Sequence, residues 1–140
     1  MKRKMKGFTL IEVMITVVIV AILASIAYPS YIGYVSSAAE TQVQGELVDL
    51  AAAQERWRAQ NFQYTSTLSD LGTQLPNNDK YSTTLTVTSS GQGFSAIAIP
   101  KSGTVVEGGA SFKINEDGTT CFKVNASDCT LGTDPVWSDR

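Results

Sequence analysis

The chain has 140 residues, no histidine, two cysteines and a formal net charge of −2 from 11 basic and 13 acidic side chains. Without histidine, no nucleophile can be given its usual base, and the acidic balance leaves no broad basic surface for general nucleic-acid binding. Both exclusions point away from an enzyme and toward a molecule that works through its surfaces.

Four of the basic residues, Lys2, Arg3, Lys4 and Lys6, stand directly ahead of a run from Phe8 to Ala27 whose only charge is Glu12. A run of about twenty such residues can cross a bilayer as one helix, and the basic head keeps its own end cytoplasmic. Everything from Tyr28 onward is then expected outside the cytoplasm. An ordinary secretory signal ends in a small-residue cleavage site, which the sequence IAYPSY does not offer. Gly7 is the one small residue where charge gives way to apolar sequence. A peptidase at the cytoplasmic face is expected to cut between Gly7 and Phe8 and to leave the apolar helix on its product.

Glu12 needs a partner, because a carboxylate inside hydrocarbon costs about 2.5–3.5 kcal/mol on insertion scales. No basic residue lies between Gly7 and Gln54. Cleavage after Gly7 creates an α-amine on Phe8, four residues before Glu12, with a reference pKa of about 8. Between parallel helices offset along their axes, the amine of one chain meets Glu12 of the next. A carboxyl that is protonated in lipid, or that sits at the interface, is the plain alternative.

Pro29 and Gly33 follow the apolar run. Proline removes a helical hydrogen bond and clashes with the preceding turn. The helix is expected to bend or melt locally here rather than stop at Tyr28, because a helical pattern resumes at once. Tyr31, Val35, Ala38 or Ala39, Val43, Leu47, Leu50, Ala51, Gln54, Trp57 and Arg58 form one stripe, opposite Glu40, Gln42, Gln44, Glu46, Asp49 and Glu55. Steps of three and four describe an amphipathic helix whose stripe from Val43 to Trp57 seats a sheet, with Trp57 packed beneath it, while Tyr28 to Ala39 suits contact with other helices.

Residues 61–79 lose this periodicity and are punctuated by Gly72, Pro76, Asn77 and Asn78, which predicts a loop. Strands are predicted over 80–88 and 94–100, separated by SSGQG and ended by Pro100, and within 110–124 on both sides of an Asp117-Gly118 turn. A helix and four consecutive strands imply an α+β domain, with the sheet an antiparallel meander. Cys121 and Cys129, outside the cytoplasm, are expected to form a disulfide that clips the tail to the last strand. Metal binding and redox chemistry lack further soft ligands and the two-residue cysteine spacing. No cofactor is expected. Trp137 divides between packing and a partner-facing anchor.

The block GFTLIEV at 7–13, with its basic head, the apolar run and Pro29, closely resembles the class III signal of type IVa pilins and their pseudopilin relatives. The resemblance implies the type IV pilin fold, with a long helical spine on a four-stranded antiparallel sheet and a C-terminal disulfide segment. It also implies cleavage between Gly7 and Phe8 by prepilin peptidase, N-methylation of Phe8, and a role for Phe8 and Glu12 in subunit register. The domains would be a leader over 1–7, a transmembrane and assembly half over 8–30, and an extracytoplasmic globular part over 31–140. Residues 51–72 resemble PilE-like minor pilins, with the family's G-x-Y written here as NFQY and Asn61 in place of the glycine.

The function implied is that of a structural pilus subunit, a minor pilin that primes assembly or sits near the tip in adhesion, twitching motility or DNA uptake. Its partners would be prepilin peptidase, major and minor pilins, the inner-membrane assembly platform, a tip adhesin, and membrane lipid before assembly. Its place would be the inner membrane and then the extracellular pilus of a Gram-negative bacterium. Alternatives are a major pilin, a DNA-receptor pilin or membrane-anchored binding protein, and a type II secretion pseudopilin. Pseudopilins often carry calcium where this chain has cysteines. Nucleic acid is disfavoured as a partner: removal of the leader leaves seven basic against 13 acidic residues, and the seven are scattered.

Overall fold

A computed structural model describes residues 7–72, 78–88 and 90–140. The basic head, Leu75, Pro76 and Asn77 of the expected loop, and Ser89 of the expected turn lie outside the described residues. The chain divides into two compact units at Val35 and Ser36.

The first unit is helical from Leu10 onward, as part of α1 (Leu10–Asn61). The helix continues through Pro29 and Gly33, so it neither stops at Tyr28 nor melts there. Proline costs it one hydrogen bond, which a long helix with intact neighbouring turns absorbs. The hydroxyls within the apolar run satisfy themselves, Thr16 on the Glu12 carbonyl and Ser25 on the Ile22 carbonyl, both at 2.7 Å. Such internal bonding is what hydrocarbon demands of every polar group. None of the helix's membrane-length stretch is buried.

In the second unit α1 buries Ala39, Glu40, Val43, Leu47, Leu50, Ala53 and Gln54. Four strands follow: β1 (Tyr81–Val87), β2 (Phe94–Pro100), β3 (Ala110–Asn115) and β4 (Thr120–Val124). They pair in chain order as an antiparallel meander. Alternation along β2 sends Phe94, Ala96 and Ala98 to the inner face, where their β3 partners are Ile114 for Ala96 and Phe112 for Ala98. The core joins these side chains to Val43, Leu47 and Leu50 of the helix, with Tyr64 and Tyr81 beside them. Pro100 ends β2 beyond the last β2–β3 pair, where no donor is required of it.

Four expectations are corrected here. Glu40 is not on the polar face but 8% exposed inside the domain. Trp57 is only half-buried, lining an open cleft with Arg56, Gln60, Asp70 and Leu71 instead of lying under the sheet. The predicted loop contains a short 3₁₀ turn, Leu68–Leu71, closed by Gly72 in the left-handed region. The G-x-Y counterpart is Phe62-Gln63-Tyr64, because the left-handed residue after the helix is Phe62, at φ 62°, and not Asn61. The Asp117-Gly118 turn stands where predicted. Only Gly118 of that pair has positive φ, and the Gly118 N–H donates to the Asn115 carbonyl at 3.1 Å.

Candidate functional site

No cluster of metal-ligating side chains occurs among the described residues. The candidate residues fall in two places, the helix start and the tail-bearing end of the domain. At the helix start, Gly7 and Phe8 are exposed ahead of α1, Phe8 at 85%. Thr9 Oγ1 accepts the Glu12 N–H at 3.3 Å, which makes Thr9 the N-cap and puts Glu12 three residues inside it. A threonine followed three residues later by glutamate is the capping-box pattern, a signal for the helix start that sequence reasoning missed. Capping holds the Glu12 backbone at the helix N-terminus, where the dipole favours negative charge. The Glu12 carboxylate itself is exposed with the rest of the turn.

The domain end is closed by the disulfide and tail. Cys121 and Cys129 are bonded with Cα atoms 6.0 Å apart, and both are buried. Beyond them the Phe122 N–H donates to the Pro135 carbonyl at 2.9 Å, so the tail covers the β4 edge. Trp137 Nε1 donates to the Cys121 carbonyl at 2.9 Å, and its ring meets Phe112 edge-on at 6.1 Å. Trp137 is therefore a packing residue. Arg140 Nε and Nη2 donate to the two oxygens of Glu40, and its guanidinium lies 5.4 Å from the centre of the Phe122 ring. Sequence reading missed this pair because each member, taken alone, looks like a surface charge.

Tyr81 lies in the same region with its hydroxyl buried and without a hydrogen-bond partner among the described residues. Burial, and then the neighbouring Glu40 charge, pushes its pKa well above the ordinary tyrosine value, against a smaller opposing pull from Arg140. Tyr64 is raised as well, by burial and by its hydrogen bond to Glu55, with Arg58 opposing. On the tail, the Thr130 N–H holds the Asp134 carboxyl below the usual range, opposed by burial and assisted by Lys123.

Five of the seven cations after residue 40 are engaged within the domain. Lys113 pairs with Asp128, Lys123 with Asp134 and Arg140 with Glu40. Lys101 donates to the Asn78 carbonyl and Arg58 to the Tyr64 hydroxyl. Arg56 and Lys80 are the remaining two.

At the end of α1, Gln54 is fully buried and bonds Thr65 twice, through Nε2 to its carbonyl at 2.6 Å and through Oε1 from its N–H at 3.2 Å. This pins the chain as it leaves the helix. Phe62, just past the helix, is 82% exposed. Its N–H donates to the Arg58 carbonyl at 2.8 Å, and its own carbonyl accepts from Gln92 Nε2 at 3.1 Å.

Comparison with known proteins adds three findings. Residues 29–127 match the family described as type IV minor pilin ComP, DNA uptake sequence receptor, and residues 2–28 match the prokaryotic N-terminal methylation motif. The chain is 39% identical over 70 residues to type II secretion system core protein G of Pseudomonas aeruginosa, across 50% of this chain and 49% of that one. It is 57% identical over 42 residues to a type IV major alpha-pilin of Moraxella bovis, across 30% of this chain and 26% of that one. The matches thus span about half or less of these relatives' length. Among solved structures, the non-core minor pilin PilV of Neisseria meningitidis superposes with a TM-score of 0.55 at 20% identity, covering 72% of this chain and 98% of that one, a likeness of fold.

Proposed function

Because this chain belongs to the type IV pilin family, through a minor-pilin profile that covers residues 29–127, we propose that it primes filament assembly or sits near the tip. The observation that carries this is the uncovered apolar helix with one carboxylate in its first turn, on a domain whose own core is complete. A helix with no internal partner must be covered by lipid or by other helices. In this reading prepilin peptidase cuts between Gly7 and Phe8, Phe8 is N-methylated, and its amine meets Glu12 of a neighbour. Pro29 and Gly33 are the positions at which the helix yields during entry into the filament. The domain lies outside the cytoplasm, where the Cys121–Cys129 bond persists.

The test is Glu12→Ala in the intact protein. It is expected to leave membrane insertion unchanged and to remove the subunit from sheared filaments, and normal incorporation would defeat the reading. Quantifying the subunit in those filaments separates a minor from a major role, since a major subunit dominates the preparation.

The matched family's description favours a second reading, a receptor for DNA. Phosphate contacts need available cations; three of the seven here are held in ion pairs and two more donate to neutral oxygens. Filter binding at physiological salt is therefore expected to show no submicromolar affinity for duplex DNA. The similarity to secretion core protein G keeps a pseudopilin role in view, which secretion assays of a deletion strain would expose.

A further inference from the structure

Three of the chain's five tyrosines stand close together, at 28, 31 and 34, directly after the apolar run ends at Ala27. All three lie in the uninterrupted α1 and are exposed, Tyr28 at 68%, Tyr31 at 64% and Tyr34 at 75%. Steps of three turn them by about 60° each, so the rings share roughly one third of the helix circumference.

Their height along the helix matches a bilayer. Leu10, the first helical residue, and Tyr28 are 18 residues apart, which is about 27 Å of helix. With Phe8 and Thr9 ahead of it, the apolar segment fills a hydrocarbon core of about 30 Å. From Tyr28 to Tyr34 the helix rises about 9 Å more, through an interfacial layer about 5–8 Å deep on each side.

No charge is available to anchor that end. The basic head holds the other one, but no lysine or arginine lies between Gly7 and Gln54. Glu40, the next charge after Glu12, is buried in the domain and bonded to Arg140. A tyrosine ring is apolar and its hydroxyl polar, the amphipathic form enriched at membrane–water boundaries. Contacts between packed membrane helices favour small residues instead, such as Ala21, Ala24, Ser25 and Ala27 of the same helix.

We propose that Tyr28, Tyr31 and Tyr34 are the outer-interface anchor of α1, that their partner is the headgroup layer of a bilayer, and that they fix the depth of Glu12. With Tyr28 at the outer hydrocarbon boundary, Glu12, 16 residues earlier, lies about 24 Å beneath it and about 6 Å from the inner one. The anchor thus keeps Glu12 near the inner interface and away from the midplane, where a carboxylate is most costly. This rests on the helix crossing a bilayer before assembly and is independent of incorporation into a filament.

The experiment reconstitutes the full chain in vesicles of phosphatidylethanolamine and phosphatidylglycerol and labels single introduced cysteines with a membrane-impermeant maleimide. Cys121 and Cys129 are bonded to each other and stay silent. Relative to Ser37→Cys, which is expected to react freely, Ser25→Cys is expected to be protected and Ser30→Cys to react at an intermediate rate. Combining Tyr28→Ala, Tyr31→Ala and Tyr34→Ala lengthens the apolar stretch toward Val35, and the helix is expected to sink, slowing Ser30→Cys about tenfold. Tryptophan at the same three positions, also an interfacial residue, is expected to preserve the parent rate. An unchanged or faster rate in the alanine variant, or a slowed one in the tryptophan variant, overturns the anchor. So does an alanine variant that keeps its depth but drops out of sheared filaments, since the rings then serve contacts between helices. If Ser25→Cys reacts as fast as Ser37→Cys, the membrane crossing itself has failed.

Discussion

Arg140 and Glu40, 100 positions apart in the chain, meet fork to fork: Nε lies 2.7 Å from Oε2 and Nη2 lies 2.5 Å from Oε1. Glu40 projects from the helix and Arg140 follows Trp137 on the tail, so one pair ties the tail to the helix across the end of the sheet. The paired guanidinium also covers Phe122. Geometry of this bidentate kind is what makes arginine hard to replace by lysine.

Removing one member should be costly, because the other keeps its charge in a buried place. Arg140→Ala is expected to destabilise the protein by about 3 kcal/mol, read as a lower unfolding midpoint in detergent. Replacing both, as Glu40→Leu with Arg140→Met, is expected to recover most of the loss. If the single variant melts like the parent, the pair is ornamental.

Tyr81 supplies a contrasting case. Its hydroxyl is buried without a partner among the described residues, so Tyr81→Phe removes a polar group whose desolvation those residues leave uncompensated. The expected gain is about 1 kcal/mol. The alkaline limb of stability should change with it. An unfolded tyrosine loses its proton near pH 10, whereas burial keeps Tyr81 protonated in the folded state, and Tyr64 behaves likewise. Above pH 10 the folded state then binds more protons than the unfolded one, and stability falls as pH rises. Chemical denaturation between pH 8 and about 11 should show that decline, shallower in Tyr81→Phe.

The disulfide closes a short loop, separation eight, and the entropy model assigns such a loop roughly 2.5 kcal/mol. Cys121→Ser is expected to lower the oxidised protein's midpoint accordingly, and a reductant should lower the parent but not the variant.

Two glycines should respond in opposite directions. A Cβ at Gly45, on the exposed side of α1, meets nothing within 4 Å, and Gly45→Ala is expected to stabilise the helix by about 1 kcal/mol. A Cβ at Gly109 would come within 2.7 Å of the Val106 carbonyl oxygen, which is backbone and cannot swing aside. Gly109→Ala is expected to cost about 1–3 kcal/mol as an overpacked site. Paired thermal melts test both.

Much of the fold was legible because its signals are short-ranged. The helical repeat ran through Val43, Leu47 and Leu50, and runs bounded by turn residues marked all four strands to within a residue or two. With two cysteines, the bridge had one possible pairing. The candidate site was legible less evenly. Gly7, Phe8 and Glu12 stood out because charge inside an apolar run is conspicuous, while the Thr9 cap beside them passed unnoticed. Trp57 was misplaced because a helical stripe says which face is inward but not where the sheet ends.

What the residue order determined alone was therefore the apolar helix, the amphipathic continuation, the meander and the clip, each written in a repeat of 3.6 or 2 residues or in unique chemistry. Only the tertiary structure decided that Glu40 turns inward to Arg140, that Trp137 packs on Phe112, and that the left-handed turn after α1 falls on Phe62. The reason is physical. A repeat is carried by neighbours along the chain, whereas the burial of a charge or the conformation of a cap depends on what a distant segment brings against it.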